Sequence, residues 1–135
     1  MKTELIRHFG NLNKPVSLKE EKNLLDNGMY NCWGFTAYMK GWEKELKWLS
    51  DRKMNNHLDI HTKQIKFPRV GDIAVFRNEW EALTHTAIIS EINEKSGRHK
   101  TLHKDGCREL AVEYLKDVKE GRYSNSKITY WRVVK

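Results

Sequence analysis

The sequence predicts an α+β fold in which N-terminal helices pack on an antiparallel sheet. Helical signals lie in the first half of the chain, where Ser17 opens a capping box and an apolar stripe follows Cys32. Strand signals lie in the second half, where short apolar runs follow one another from Pro68 onward. Strands joined by short links pair antiparallel, so the two halves predict one helical layer and one sheet.

Length and composition indicate one folded domain over residues 1–135 with a hydrated surface. Of the 135 residues, 39% are hydrophobic and 32% are charged. The 25 Lys and Arg residues exceed the 18 Asp and Glu residues, and the net charge of +7 favours anionic partners such as nucleic acid, acidic lipid surfaces or cell-wall polymers. The basic residues are spread along the chain and no nucleic-acid-binding motif is present, so nucleic-acid binding ranks below catalysis.

The N-terminal residues lack the unbroken apolar core of an export signal, because Glu4, Arg7 and His8 interrupt it. No later segment is apolar enough to span a membrane. We therefore expect a protein that is cytoplasmic as made, or that reaches the periplasm or cell wall by a route that reads no N-terminal signal. Two cysteines are too few for a disulfide framework, so Cys32 and Cys107 are expected to be reduced, with Cys107 structural.

The first thirty residues are predicted to be an approach segment containing one short helix. Asn and Pro residues at positions 11, 13 and 15 break regular structure before Ser17. Ser17 and Glu20 have the spacing of a capping box, which predicts a helix to about Leu25. The sequence Asp-Asn-Gly at 26–28 then ends this helix.

A second, core-facing helix is predicted from Cys32 through Leu49. Five apolar side chains recur at spacings of three and four residues, which places them on one face: Phe35, Met39, Trp42, Leu46 and Leu49. Gly41 inside this stretch marks a kink or a break.

Residues 50 to 67 have little periodicity and are predicted to be a polar connection. His57, Asp59 and His61 alternate within it, and histidine and carboxylate are common zinc ligands. Because no second cluster with matching spacing completes a site, a hydrated surface segment is the favoured interpretation, and no metal or other cofactor is expected.

The second half predicts a run of strands. Pro68–Asp72 is a turn, and the tract around Cys107–Val118 is predicted to be extended and then a short helix near Tyr114. The predicted strands are Ile73–Phe76, Thr84–Ile92, Arg98–His103 and Lys127–Val133, with a hairpin turn at Asn93–Gly97 between the second and third.

Cys32 is the candidate nucleophile, because it lies where a helix is predicted to begin. The free N–H groups and the positive dipole end of a helix N-terminus stabilise a thiolate. A small buried hydrophobe is the alternative interpretation of a lone cysteine.

A cysteine nucleophile needs a base, and histidine is the natural candidate. Of six histidines, His85 and His103 lie near the ends of predicted strands. On its strand His85 shares a face with Ala87 and Ile89, so a structural histidine is the alternative. Pairing of the two strands could bring His103 beside His85, where it would orient the ring of His85.

Four motifs, in this order, resemble those of the NlpC-type papain-like cysteine peptidases and their CHAP amidase relatives. They are Asn31–Phe35 (NCWGF), Arg69–Phe76 (RVGDIAVF), Thr84–Ile89 (THTAII) and Thr101–His103 (TLH). The resemblance implies a papain-like, NlpC-type fold, in which the cysteine opens a helix packed on an antiparallel sheet. It extends loosely to the Tyr-Trp-Arg ending at 130–132.

The resemblance also implies roles for these residues. Cys32 is the nucleophile, His85 the general base and then acid, and His103 the orienting residue. Acyl transfer to Cys32 would be followed by hydrolysis of the thioester, with the Cys32 backbone N–H as an oxyanion donor. Trp33 is predicted to contact substrate, and Tyr30 to line the cleft or add a second oxyanion donor. Packing of Tyr30 against the sheet is the alternative.

The leading hypothesis is therefore a thiol hydrolase that cleaves an amide bond, chiefly in peptidoglycan peptides, as a phage lysis enzyme or a secreted antibacterial effector does. Its expected partners are peptidoglycan or another peptide substrate, and a cognate immunity protein in the case of an effector. Two alternatives stay open: a catalytically silent binding module on the same scaffold, and an amidase or deamidase that acts on a protein substrate.

Overall fold

The computed structural model describes residues 2–12, 17–26, 29–93, 95–104 and 109–134. The helices within these residues are α1 (Lys2–Asn11), α2 (Leu18–Asp26), α3 (Cys32–Met39), α4 (Asp51–His61) and α5 (Leu115–Glu120). The strands are β1 (Thr62–Ile65), β2 (Ile73–Arg77), β3 (Leu83–Asn93), β4 (Arg98–Lys104), β5 (Leu110–Tyr114) and β6 (Lys127–Val133).

The six strands form one antiparallel sheet in the order β1-β6-β2-β3-β4-β5. The last strand in sequence thus lies between the first two, and β2, β3, β4 and β5 form a meander. The predicted α+β fold with an antiparallel sheet is confirmed.

The two faces of the sheet carry different side chains, because successive residues of a strand point to opposite faces. The α3 face, defined by the residues that pack toward α3, includes Ile73, Val75, Thr86, Ile88 and Leu102. The α5 face, defined by the residues on the side of α5, includes Ala74, Phe76, His85, Ala87, Ile89 and His103. The predicted division of the THTAII motif between two faces is confirmed.

The predicted long helix from Cys32 through Leu49 is wrong in its length, since α3 ends at Met39. Gly41 adopts a φ of 76°, a left-handed conformation that stops the helix and that glycine adopts without steric cost. Trp42 and Leu49 still pack in the core, but from irregular backbone instead of a helix.

The predicted polar connection at 50–67 is also wrong, because most of it forms α4 and β1. The Ser50 hydroxyl caps α4 by accepting the Lys53 N–H at 3.2 Å. Met54 and Leu58, four residues apart, are buried against the α3 face. Two apolar residues on an otherwise polar helix give little periodicity, which is why the sequence pattern missed it.

The predicted approach segment contains a further helix, α1, so that prediction is corrected. Leu5 and Phe9 on α1 are buried, and His8 Nδ1 lies 2.6 Å from the hydroxyl of Ser90 on β3. Contacts with a strand more than eighty residues away stabilise this helix, so the local sequence pattern does not predict it.

The capping box at Ser17 is confirmed, since its hydroxyl accepts the Glu20 N–H at 3.1 Å. The predicted breaks at Asn13 and Pro15, the turn at 27–28 and Cys107 lie outside the described residues. Within the described part of the chain, no helix is long and apolar enough to cross a membrane.

Candidate active site

Cys32 is the first residue of α3, and Asn31 fixes that helix start. The Asn31 Oδ1 accepts the Gly34 N–H at 2.9 Å, as an N-cap residue does. The same side chain also binds both backbone groups of Leu49, accepting its N–H at 3.1 Å and donating to its carbonyl at 2.8 Å. One buried amide therefore caps α3 and attaches the returning chain beside Cys32.

We expect Asn31→Ala to destabilise the protein by about 2–4 kcal/mol, since it removes a cap and leaves buried backbone groups of Leu49 unpaired. Urea unfolding followed by circular dichroism measures the change. Ser50→Ala is the matched control, because it removes an exposed cap from α4 and should cost only about 1 kcal/mol. Equal losses for the two variants would contradict the assigned role of Asn31.

Two threonines attach α3 to the strand that carries His85. The Thr86 hydroxyl lies 2.9 Å from the Thr36 hydroxyl and 3.4 Å from the Cys32 carbonyl oxygen, to which it donates. The Cys32 side chain is 6% exposed. The start of α3 is thus held beside the residue that follows His85 in the chain.

The two predicted site histidines lie together in the structure. His85 Nε2 is 2.9 Å from His103 Nδ1, and the two rings meet edge to face. On its other side, His103 Nε2 lies 3.2 Å from Glu113 Oε1 on β5. The predicted pairing of His103 with His85 across adjacent strands is confirmed as geometry, and their catalytic roles stay predictions.

An aromatic shell covers the ring of His85. Tyr123 stacks on it with ring centroids 4.2 Å apart and an angle of 11° between the planes, and Phe76 meets it edge-on at 5.2 Å. His85 is 0% exposed, and its Nδ1 has no hydrogen-bond partner among the described residues. The orientation of the imidazole is therefore fixed by packing and by its bond to His103.

Burial is the largest cause that holds the pKa of His85 well below its ordinary value of 6.5, and positive charge on His103, when that ring is protonated, and on Arg122 acts in the same direction. The imidazole is therefore neutral at pH 7. A neutral imidazole can accept a proton, which is the state that a general base requires.

The lowered pKa of His85 predicts a stability that falls in mild acid. Below pH 6.5 the unfolded chain takes up a proton that the folded protein does not, so the free energy of unfolding decreases by about 1.4 kcal/mol per pH unit for this one group. We expect His85→Gln to reduce that slope in urea unfolding between pH 7.5 and 5.5. Identical slopes for the variant and the parent would contradict a neutral, buried His85.

Cys32 and His85 are not joined by a hydrogen bond through Nδ1, the ring nitrogen that His103 leaves available. Thr86 contacts α3, whereas the side chain of His85 lies on the α5 face. The structure thus brings His85 and His103 together, and places the start of α3 against the same strand on its other face.

Tyr30 and Trp33 occupy different surroundings. Tyr30 is fully buried in the core and its hydroxyl donates to the Leu24 carbonyl, while the Lys104 Nζ lies 4.2 Å from the ring centroid. Trp33 is partly exposed and packs against the core cluster that includes Ala37 and Leu49, with its indole N–H unpartnered among the described residues. The alternative interpretation of Tyr30, packing, describes its place, and substrate contact by either residue stays a prediction.

The aspartate of the RVGDI motif joins distant parts of the sheet. Arg132 Nε donates to Asp72 Oδ1 at 3.0 Å and Arg132 Nη2 donates to Oδ2 at 2.8 Å, while the Arg69 N–H binds the same carboxylate at 2.7 Å. Asp72 is 4% exposed. It therefore fastens the turn before β2 to the final strand.

The predicted hydrated segment around His57 is partly buried. The rings of His57 and His61 stack on Trp42 at 5.6 and 5.1 Å, and His57 Nε2 lies 2.7 Å from Glu43 Oε2. In the part of the chain that the structure describes, no three His, Cys, Asp or Glu side chains are placed to hold a metal ion.

Glu113, Tyr123 and Asn31 were not predicted as parts of the site. Alternation along β5 places Glu113 on the α5 face, but only the strand register brings it to His103. Tyr123 lies between α5 and β6 and carries no local signal. Asn31 precedes a helix start, which in principle indicates a cap.

The family model described as CHAP domain matches residues 24–105, more than half of the 135-residue chain. No curated protein and no solved structure matches it. The matched range contains Cys32, His85 and His103, and a CHAP domain is consistent with the predicted papain-like fold.

Proposed function

Because the chain belongs to the CHAP domain family, we propose that it is a thiol hydrolase that cleaves an amide bond in peptidoglycan peptides, with Cys32 as nucleophile and His85 as base. CHAP domains are typically amidases or peptidases whose activity is related to peptidoglycan. The observation that carries the proposal is the oriented His85–His103 pair, whose strand contacts the backbone of Cys32 through Thr86.

The chemistry follows from these groups. His85 Nδ1 takes the proton of the Cys32 thiol, and the sulfur attacks the amide carbonyl, while the Cys32 N–H at the start of α3 stabilises the oxyanion. His85 then gives its proton to the departing amine. A water molecule, deprotonated by His85, attacks the thioester and releases the acid and the thiol.

The scheme requires the ring of His85, which lies on the α5 face, to come within reach of the Cys32 thiol at the start of α3, so His85 must change position relative to α3 when substrate binds. Because His85 Nε2 is hydrogen-bonded to His103, Nδ1 is the ring nitrogen that is available to take the thiol proton. The net charge of +7 favours approach to an anionic wall.

A catalytically silent binding module is the second candidate. It is favoured by the complete burial of His85 under Tyr123, on the sheet face that α3 does not cover. Such a module would keep the scaffold and use its basic surface to hold an anionic polymer.

The pH dependence of thiol alkylation separates the two candidates. In a Cys107→Ser background, iodoacetamide labelling of Cys32 followed by mass spectrometry reports one thiol. The hydrolase predicts labelling well below the pH at which an ordinary thiol, with a pKa of about 8.5, reacts, and loss of that reactivity in His85→Gln. An ordinary profile that His85→Gln leaves unchanged supports the silent module.

The substrate is tested separately. Incubation with defined muropeptides and product analysis by mass spectrometry should reveal one cleaved amide bond. Cleavage of a protein amide with intact muropeptides would instead indicate an amidase or deamidase acting on protein, and would overturn the peptidoglycan assignment. If muropeptides are cleaved, a comparison of the bacterial cell walls that the protein attacks distinguishes a phage lysis enzyme from a delivered effector.

A further inference from the structure

We infer that Glu113 is a positioning residue that sets the tautomers of both histidines, so that His85 Nδ1 is the unprotonated nitrogen. The effect of Glu113 on catalysis rests on the proposed function, whereas its effect on the histidine tautomers is independent of that function. Three side chains on three adjacent strands form the relay: Glu113 on β5, His103 on β4 and His85 on β3.

Glu113, at the outer end of the relay, determines which nitrogen of His103 carries a proton. An ionised carboxylate only accepts hydrogen bonds, and the side chain of Glu113 is 44% exposed to water. His103 Nε2, at 3.2 Å from Glu113 Oε1, therefore carries a proton. In neutral His103 the other nitrogen, Nδ1, is then an acceptor.

The same donor–acceptor argument determines which nitrogen of His85 carries a proton. Because His103 Nδ1 accepts, His85 Nε2 at 2.9 Å must donate, and neutral His85 carries its proton there. The remaining His85 Nδ1 then bears a lone pair. One carboxylate on the outermost strand of the sheet thereby determines the basic atom two strands away.

The surroundings of His85 favour this arrangement over its main competitor. In the competitor, a cationic His103 pairs with Glu113 and donates to His85 Nε2, which leaves His85 Nδ1 with a proton. That buried N–H would have no acceptor among the described residues, and an unsatisfied buried donor is costly.

Nitrogen-15 NMR of the imidazole rings tests the inference without any substrate. In the parent protein at pH 7.5 we expect neutral His85 and His103, each protonated at Nε2. Glu113→Lys replaces an acceptor by a donor, so it should move the protons of both rings to Nδ1. Glu109→Lys, an exposed position just before β5, makes the same charge change and should leave both tautomers as they are.

Two further variants keep the test informative if Glu113→Lys does not fold. Glu113→Asp retains an acceptor and should restore Nε2 protonation, whereas Glu113→Gln can accept or donate and should give a mixture. A cationic His103, a proton on His85 Nδ1 in the parent, or tautomers that are identical in all Glu113 variants would each overturn the inference.

Kinetics separate this inference from the proposed function. If the hydrolase is active, Glu113→Lys should lower kcat by roughly a hundredfold with little change in KM, because a protonated Nδ1 cannot act as base. A parent protein with the expected tautomers and no hydrolase activity would reject the proposed function alone. An active parent in which Glu113→Lys keeps full kcat would reject the role of Glu113 in catalysis.

Discussion

Cys32→Ala is expected to abolish the cleavage of peptidoglycan fragments while the protein remains folded. Removal of a covalent nucleophile lowers kcat by at least about a thousandfold, since binding and oxyanion stabilisation alone supply little turnover. The substitution removes one buried sulfur and leaves the Asn31 cap and the threonine contacts in place. Product analysis of defined muropeptides by mass spectrometry measures the loss.

Cys107→Ala is the matched control for this experiment, because it removes the other thiol of the chain. It is expected to retain the parental rate. Thermal unfolding of both variants establishes that they are folded. Undiminished cleavage by Cys32→Ala, or loss of cleavage only in Cys107→Ala, would reject Cys32 as the nucleophile.

Gly34→Ala is expected to have the largest effect on stability. A Cβ at this position would overlap the carbonyl oxygen of Lys47, and that obstacle is backbone, which cannot rotate away. The segment at 47–49 must therefore move off α3, which breaks the bonds of Asn31 to Leu49. We expect a loss of about 3 kcal/mol or more in the free energy of unfolding, measured by urea titration.

Gly10→Ala provides the matched control in a different helix. A Cβ at Gly10 meets nothing within 4 Å, and alanine is the better helix former, so this variant should be neutral or more stable by up to about 1 kcal/mol. If Gly34→Ala were as stable as Gly10→Ala, the close approach of the Lys47 backbone to α3 would be wrong.

Strands were the elements most readily predicted from the sequence. The runs at 73–76, 84–92, 98–103 and 127–133 alternate or stay apolar over lengths typical of strands, and all four are present in the sheet with small changes at their ends. The alternation also placed His85 on one face with Ala87 and Ile89, as the structure does. A short-range sequence pattern is enough to predict these strands, because successive side chains of a strand point alternately to the two faces of the sheet.

Helices whose stability comes from distant contacts were not predicted. α1 is anchored through Leu5, Phe9 and His8 to residues far along the chain, and α4 by two buried side chains on a polar helix. The end of α3 at Met39 depends on the left-handed conformation of Gly41. The sequence analysis left open whether Gly41 marks a kink or a break. Tertiary packing overrides local propensity in α1 and α4, whereas α3 ends at a local backbone feature.

The sequence by itself determined the α+β class and the helix start at Cys32, because helical and strand periodicity are local properties, and it offered the pairing of His103 with His85 as one that a hairpin could bring about. Only the tertiary structure decided that the relay continues to Glu113, that Tyr123 covers His85, and that α3 contacts the strand through Thr86. These facts depend on strand register and on which face each element covers, and both are set by contacts between residues far apart in the chain.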